Sequence, residues 1–391
     1  VKRKISHLLK SAGLDRGLHL LMRLMTLMPV KKNRVLFESF LGKQYSDSPR
    51  AIFEELRASR PDLELIWSHD GTVRFPEGTQ TVKRMTLRWI YLLSTSRVWV
   101  SNSRLPSFLV KRKGTTYLQT WHGTPLKRLA LDMFDVQMAN TTTERYKKDF
   151  QRESGKWDLL VSPNPYSTSI FRRAFGFDGE VIEVGYPRND LFYHPEKHPA
   201  ILDKVKRHFQ IIEGKKILLY APTWRDDEYA DRGRYSFRLP FDLQAFEERF
   251  GEEYVLLVRM HYLVGDQLDV SEFQSVRNAS SYPDIAELYI ASDALVTDYS
   301  SVMFDYAHLK RPMLFFAYDL EKYRDQLRGF YFDFEQDAPG PLLRTEEELF
   351  SAIAQLGTGD FDTSAAQKFR ATFCHDDGTA TVRICDRLFR Q

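Results

Sequence analysis

Short, nearly continuous apolar runs alternate with longer stretches of helical periodicity, and this alternation constrains the fold of the sequence more than any other feature. Val35–Glu38, Leu63–Trp67, Val98–Val100, Thr116–Gln119, Leu159–Val161 and Val181–Val184 read as strands. Helices fall between them at Pro49–Arg60, Thr86–Ser94 and Ser167–Phe175. The theme restarts with strands at Ile217–Tyr220, Tyr254–Val258, Ala294–Val296 and Met313–Phe316, and helices at Asp284–Ala291, Val302–Leu309 and Glu346–Leu356. Strands apolar at successive positions are buried on both faces, as in a parallel sheet whose crossovers are helices. The polar stretch Tyr193–Lys216 between the two series reads as a linker with a connecting helix. The expected fold is α/β, with two Rossmann-like domains over residues 34–195 and 196–391 facing each other across a cleft, preceded by an amphipathic basic segment, 1–33.

Composition narrows the function classes. With 391 residues, 43% hydrophobic and 28% charged, the chain fits two or three packed domains and excludes a disordered protein. The densest apolar stretch, Leu18 to Met28, is interrupted by His19 and Arg23, so no spanning helix is expected. The two cysteines, Cys374 and Cys385, exclude a disulfide framework and a four-cysteine zinc site, and fit a reducing, cytoplasmic setting. A formal net charge of +3 conceals an asymmetry: residues 1–34 hold nine basic side chains and one acid, Asp15. Nucleic-acid binders spread basic charge over the working domain, so that class is not expected here.

The basic end has its own pattern. Ile5, Leu8, Leu9 and Ala12 recur at helical spacing, as do Leu18, Leu21, Met22, Met25 and Met28, with Gly13, Gly17 and Pro29 as breaks. Apolar area beside Lys and Arg suits a helix lying on an anionic membrane surface. Docking on the protein's own body and a secretory signal are the competing readings, although no small-residue cleavage site follows.

Ligands of doubly wound sheets bind beyond the carboxyl ends of the strands, so the loops there are where chemistry is sought. One such loop is Trp121-His122-Gly123-Thr124-Pro125-Leu126-Lys127-Arg128. Gly123 permits close backbone approach, and Pro125 fits the first turn of a helix. A helix N-terminus and two cations beside His122 would keep the imidazole neutral, as a general base requires. A second loop places Arg259 and His261 on one side of an extended segment, which suits a phosphate and a proton donor for a departing phosphate oxygen. The third is Thr297-Asp298-Tyr299-Ser300-Ser301, where a buried strand meets a helix capped by Ser300 or Ser301, an arrangement suited to an anion. Arg225 follows another buried strand, and Asp284 and Glu287 open a helix. Walker, dinucleotide, nucleophile-elbow and zincin motifs are absent, and no Asp-x-Asp strand-end pair is present to hold Mg²⁺.

Taken in order, the stretches TWHGTPLKRLALDM, SPNPYSTSIFRRAFGF, GYPRNDLF, LLYAPTWRDD, LLVRMHYLV, ALVTDYSSVMFDYA, RPMLFFAYDLEKYRDQLRGFYFDFEQDAPGP and DDGTATVRI resemble the CDP-glycerol glycerophosphotransferase family of teichoic acid and related polymer synthesis. They cover most of residues 116–383, and WHGTP, TDYSS and RGFYFDFE are the specific ones. The resemblance implies a GT-B-like architecture with the nucleotide in the C-terminal domain. It implies transfer of glycerol phosphate from CDP-glycerol to a hydroxyl of an undecaprenyl-diphosphate-linked glycan, with release of CMP, at the cytoplasmic face of the membrane. His122 then resembles the general base and His261 the group that stabilises the pyrophosphate. Ser300 and Ser301 resemble the phosphate-binding helix start, Asp298 a partner of the glycerol hydroxyls, and Thr297, Gly123 and Thr124 their neighbours. Arg225 and Arg259 join the site by charge, and Asp284 and Glu287 by position near the cytidine. No cofactor or obligatory metal is expected, with Mg²⁺ left only as a companion of the pyrophosphate.

The length matches the primase type, which adds the first glycerol phosphate. A polymerase, a ribitol-phosphate transferase and a GT-B glycosyltransferase using a sugar nucleotide are the alternatives. A non-enzymatic assembly factor on the membrane surface is the rival from another class. Oligomeric state is left open.

Overall fold

The computed structural model describes residues 16–136, 141–223, 229–231, 234–235, 239–260, 268–323, 329–358 and 361–389. Two compact units emerge, one from residues up to His122, Ala130–Arg188 and Thr379 onward, the other from Gly123–Leu129 and Asn189–Gly378. The expected boundary at 195/196 thus falls at Arg188/Asn189. In addition, the last helix, Ala380–Phe389, returns to the first unit, where Ile384 and Cys385 pack into the same core as Ile52, Phe53 and Leu56. The apolar face of that helix has no sequence signal naming its partner.

The first unit is built on β1 (Lys31–Glu38), β2 (Glu64–His69), β3 (Gln80–Lys83), β4 (Ser96–Ser101), β5 (Thr116–Gln119), β6 (Leu159–Ser162) and β7 (Glu180–Glu183). They form one parallel sheet in the order β3-β2-β1-β4-β5-β6-β7. The strand order reverses between β1 and β4, so the crevice at their carboxyl ends is this unit's natural ligand position. Val35, Leu36 and Phe37 of β1 are buried on both faces, which is why a run without alternation became a central strand. The helix Pro165–Phe175 shows how local sequence sets an element. Asn164 accepts from the Ser167 amide at 2.8 Å, Pro165 occupies the first turn, and Gly176 closes the helix in the left-handed region at φ 55°.

The second unit repeats the plan with β8 (Lys216–Tyr220), β9 (Tyr254–Val258), β10 (Val276–Asn278), β11 (Ala294–Thr297), β12 (Met313–Phe316) and β13 (Leu342–Leu343). The order is β10-β9-β8-β11-β12-β13, the doubly wound arrangement with its reversal between β8 and β11. The helix predicted at Val302–Leu309 is a five-residue α-helix, Val302–Tyr306, continued by a 3-10 turn, Ala307–Leu309. The connecting helix expected between the halves is His198–Phe209.

The N-terminal helix spans 16–25 in the described residues, and it differs from the expected amphipath. Met22 is fully buried, the Ser94 hydroxyl donates to its Sδ at 3.0 Å, and His19 Nδ1 lies 3.1 Å from the Phe108 carbonyl. The stripe through Leu18, Leu21, Met22 and Met25 is therefore the docking face. The exposed apolar residues at this end are Leu20, Leu24 and Leu27, which are 61%, 56% and 81% exposed, with Met28 of the expected stripe also exposed. Among the described residues no helix is long and apolar enough to cross a membrane. Ile5, Leu8, Leu9 and Ala12 lie outside the described residues.

Candidate active site

His122 stands just beyond the carboxyl end of β5, beside the loops that leave β1 and β4 at the strand reversal of the first sheet. Its Nδ1 is 2.6 Å from the carbonyl of Asn102, the residue after β4, so Nδ1 carries the proton and Nε2 is left with its lone pair. Among the described residues Nε2 makes no hydrogen bond. Trp121 stacks on the ring at 4.4 Å, and Phe40, after β1, tilts against it at 5.8 Å. Phe40, Leu41, Asp47 and Trp121 all adopt positive φ without being glycine. Phe40 is held there by its amide, which donates to Asn102 Oδ1 at 2.8 Å. Strained backbone around one imidazole makes His122 a candidate functional position.

The imidazole has an open edge, yet its packed neighbours desolvate it and lower its pKa below the ordinary 6.5. The Asn102 carbonyl and the Asp47 carboxylate oppose that lowering, and Arg188 adds to it. Asp47 and Arg188 are themselves a buried pair at 2.8 Å, with Arg188 lying over the Tyr186 ring at 4.7 Å. The cause differs from the one expected. No helix begins at Pro125. Instead the Arg128 amide donates to the Gly329 carbonyl at 2.9 Å and the Tyr331 amide to the Leu126 carbonyl at 2.8 Å, which ties 126–128 to residues 329–331. Main-chain pairing with a distant segment overrides the local preference of Pro125. A base must be unprotonated to act, so kcat/KM is expected to rise with pH through an apparent pKa below 6.5 and then to level off. An acid limb centred above 6.5 in a pH–rate profile would contradict this assignment.

Gly123, the next residue, belongs to the second unit. A Cβ there would lie 3.0 Å from Ser301 Oγ, so any other residue would push that hydroxyl aside. Thr124 is buried behind it. Ser301 occupies the N-cap position of Val302–Tyr306 in a helical conformation, and its side chain makes no capping bond. Among the described residues neither Ser300 nor Ser301 engages its hydroxyl, and both residues are half-buried. The expected capping role is thus replaced by two uncommitted donors at the carboxyl end of β11.

The other candidates of this unit prove more structural. Thr297 donates to the Ala221 carbonyl at 2.7 Å, and Asp298 Oδ1 accepts from the Thr223 amide at 2.8 Å, so together they bind the ends of β8 and β11 across the reversal. Arg259 Nη1 donates to the carbonyls of Ala279, at 2.8 Å, and of Tyr282. Asp284 caps its helix by accepting from the Ala286 amide at 3.0 Å. Glu287 is held by Lys204 at 2.7 Å and by the Tyr282 hydroxyl at 2.5 Å. Arg259, Asp284 and Glu287 thus brace the segment 279–291, a part that charge and position alone did not suggest. His261 and Arg225 lie outside the described residues. Among the described residues no group of three metal-ligating side chains forms.

Asn102 and Asp47 carry no sequence signal, whereas Arg188 lies in a strand-end loop, Gly185–Asp190 after β7, that could touch an acceptor. Asn102 acts through its carbonyl, which any residue type supplies.

A family model described as CDP-glycerol:poly(glycerophosphate) glycerophosphotransferase matches residues 20–390. The chain belongs to this family. Within the glycerophosphotransferase family it is 48% identical over 369 residues to a teichoic acid poly(glycerol phosphate) polymerase of Bacillus subtilis, covering 93% of this chain and 49% of the relative. It therefore spans about half the length of that protein. A teichoic acid glycerol-phosphate transferase of Staphylococcus aureus is 43% identical, with 96% of this chain and 98% of the relative covered. The solved structure of the wall teichoic acid polymerase TagF superposes with a TM-score of 0.89 at 42% identity, over 99% of this chain and 97% of that one. A UDP-GlcNAc 2-epimerase of Methanocaldococcus jannaschii, 13% identical with a TM-score of 0.52, shares the fold, as expected for a GT-B-like pair of Rossmann units.

Proposed function

We propose that this enzyme extends a glycerol-phosphate polymer by transferring glycerol phosphate from CDP-glycerol to a terminal hydroxyl of a lipid-linked acceptor. The observation that carries the reading is the orientation of His122: Nδ1 is fixed on the Asn102 carbonyl and Nε2 is left without a hydrogen bond. Nε2 takes the proton of the acceptor hydroxyl as its oxygen attacks the phosphorus bearing glycerol. The new P–O bond forms while the bond from that phosphorus to the bridging oxygen breaks, and CMP leaves with the electron pair. Phosphoryl transfer needs placement and neutralisation of oxygens more than covalent help. Ser300 and Ser301, with hydroxyls free to donate, suit the phosphate oxygens, and His261 is assigned the leaving side on the family resemblance.

Extension is favoured over priming because a glycerol-phosphate primase of Bacillus subtilis is 32% identical, against 48% for the polymerase of the same species. The test offers CDP-glycerol and CDP-ribitol with a glycerol-phosphate-primed acceptor and follows products by mass. Several increments of glycerol phosphate with CMP release are expected. A single increment would return the reading to a primase, and ribitol increments would overturn the donor.

The exposed face of Leu20, Leu24 and Leu27, beside Arg16 and Arg23, supports contact with an anionic membrane surface. Replacing Leu24 with glutamate is expected to weaken sedimentation with phosphatidylglycerol vesicles by roughly tenfold, since one buried leucine is lost. Unchanged binding would assign that face to another partner.

A further inference from the structure

Beside His122 the first unit holds a cavity of about 890 Å³ whose wall is cationic and aromatic. Four arginines line it, Arg16, Arg104, Arg145 and Arg152, against two carboxylates, Asp149 and Glu153. The carboxylates are occupied. Asp149 is shared by Arg152 at 2.9 Å and Arg145 at 3.8 Å, and Glu153 is held by Lys156 at 2.8 Å while accepting from the Leu105 amide at 3.2 Å. Burial also raises the pKa of Glu153, which weakens its negative charge further. Arg16, which is exposed, and Arg104 are left. Arg104 is half-buried, and among the described residues it forms no ion pair, although its charge helps to hold Glu153 ionised against burial. Its guanidinium lies over Phe150 at 4.8 Å and Tyr146 at 5.4 Å.

A guanidinium stacked on rings has its plane fixed and its N–H edge directed outward, which is the geometry of a bidentate anion donor. Such a group, unpaired and half-desolvated, is costly to the fold unless something else uses it. Because His122 lines the same cavity, an anion held by Arg104 would be part of the molecule whose hydroxyl His122 deprotonates.

We infer that this cavity is a phosphodiester subsite for the acceptor, in which Arg104 grips a phosphate of the chain end being extended. The inference rests on the function proposed above. It adds that the acceptor is recognised by its own backbone charge, so that a phosphorylated chain end is preferred over a neutral alcohol. The same chemistry belongs to anionic lipid headgroups, and the test separates the two sources.

The experiment uses the intact protein. Phenylglyoxal modification of Arg104, read by peptide mass, is compared with no addition, with a soluble glycerol-phosphate trimer, with neutral triglycerol and with phosphatidylglycerol vesicles. Protection of at least fivefold by the trimer, with none by triglycerol, is expected. Protection by vesicles alone, or by nothing, overturns the subsite. This readout needs no turnover, so it stands even if CMP release fails and the proposed function with it. In turnover, Arg104→Gln is expected to raise the KM for the phosphorylated acceptor about tenfold to a hundredfold while the KM for CDP-glycerol stays within twofold. Arg104→Lys, which keeps the charge without the stacked fork, should recover only part of the loss. An unchanged acceptor KM, or equal rises in both KM values, overturns the inference.

Discussion

Replacing His122 with alanine is expected to lower kcat by about a thousandfold, within the range that a positioned general base supplies, with the KM for CDP-glycerol little changed. The imidazole touches the first unit through the Asn102 carbonyl, the Trp121 face and the edge of Phe40. None of these contacts joins it to the serines at the end of β11. Donor binding, measured by equilibrium titration with CDP-glycerol, should therefore survive the substitution. The acid limb of the pH–rate profile should vanish with the side chain, because no other group would then take the proton as pH rises through its pKa. The ordinary alternative is a histidine that only fills space between Trp121 and Phe40. That alternative predicts a lower Tm and a proportionate loss of active protein, with the pH profile of the remainder unaltered. His122→Gln, which retains a donor toward Asn102 but offers no base, separates the two. A glutamine variant with more than a tenth of wild-type kcat would remove His122 from the chemistry.

How far the site could be read from sequence depended on which atoms do the work. Strands buried on both faces carry continuous apolar runs, so β5 and β9 were legible to the residue. Helices with a narrow apolar face were not. Thr143–Ser154 buries Phe150, Glu153 and Ser154 and is otherwise polar, so its periodicity is too faint to announce a helix, yet it supplies much of the cavity wall beside His122. Short edge strands such as β3 and β13 were lost for the same reason: two to four residues carry no period. Within the candidate site, side chains could be singled out by type in the sequence, whereas backbone groups could not. The carbonyl of Asn102 orients the base, and the pairing of 126–128 with 329–331 replaces a helix that Pro125 favoured locally. Both depend on tertiary contacts between segments 20 and about 200 residues apart.

Arg259, a residue type suited to a phosphate, is also engaged by the fold. Its Nη1 bridges the carbonyls of Ala279 and Tyr282, just before the helix Ile285–Ala291. Burial lowers its pKa, and those carbonyls are the partners that offset its desolvation. Arg259→Leu would remove two charge-assisted bonds, leaving the Ala279 carbonyl with the Tyr282 amide as its partner. The expected cost is about 2–4 kcal/mol, seen as a lower midpoint in urea unfolding. Tyr282 should loosen with it, since its carbonyl binds Arg259 and its hydroxyl binds Glu287, and hydrogen exchange should speed up across 279–291. A residue that instead held the donor's phosphates would behave differently: the midpoint would stay in place while the KM for CDP-glycerol rose tenfold or more. Only one of the two outcomes moves the unfolding midpoint, so one denaturation curve beside one saturation curve decides whether Arg259 braces the sheet end or grips the nucleotide.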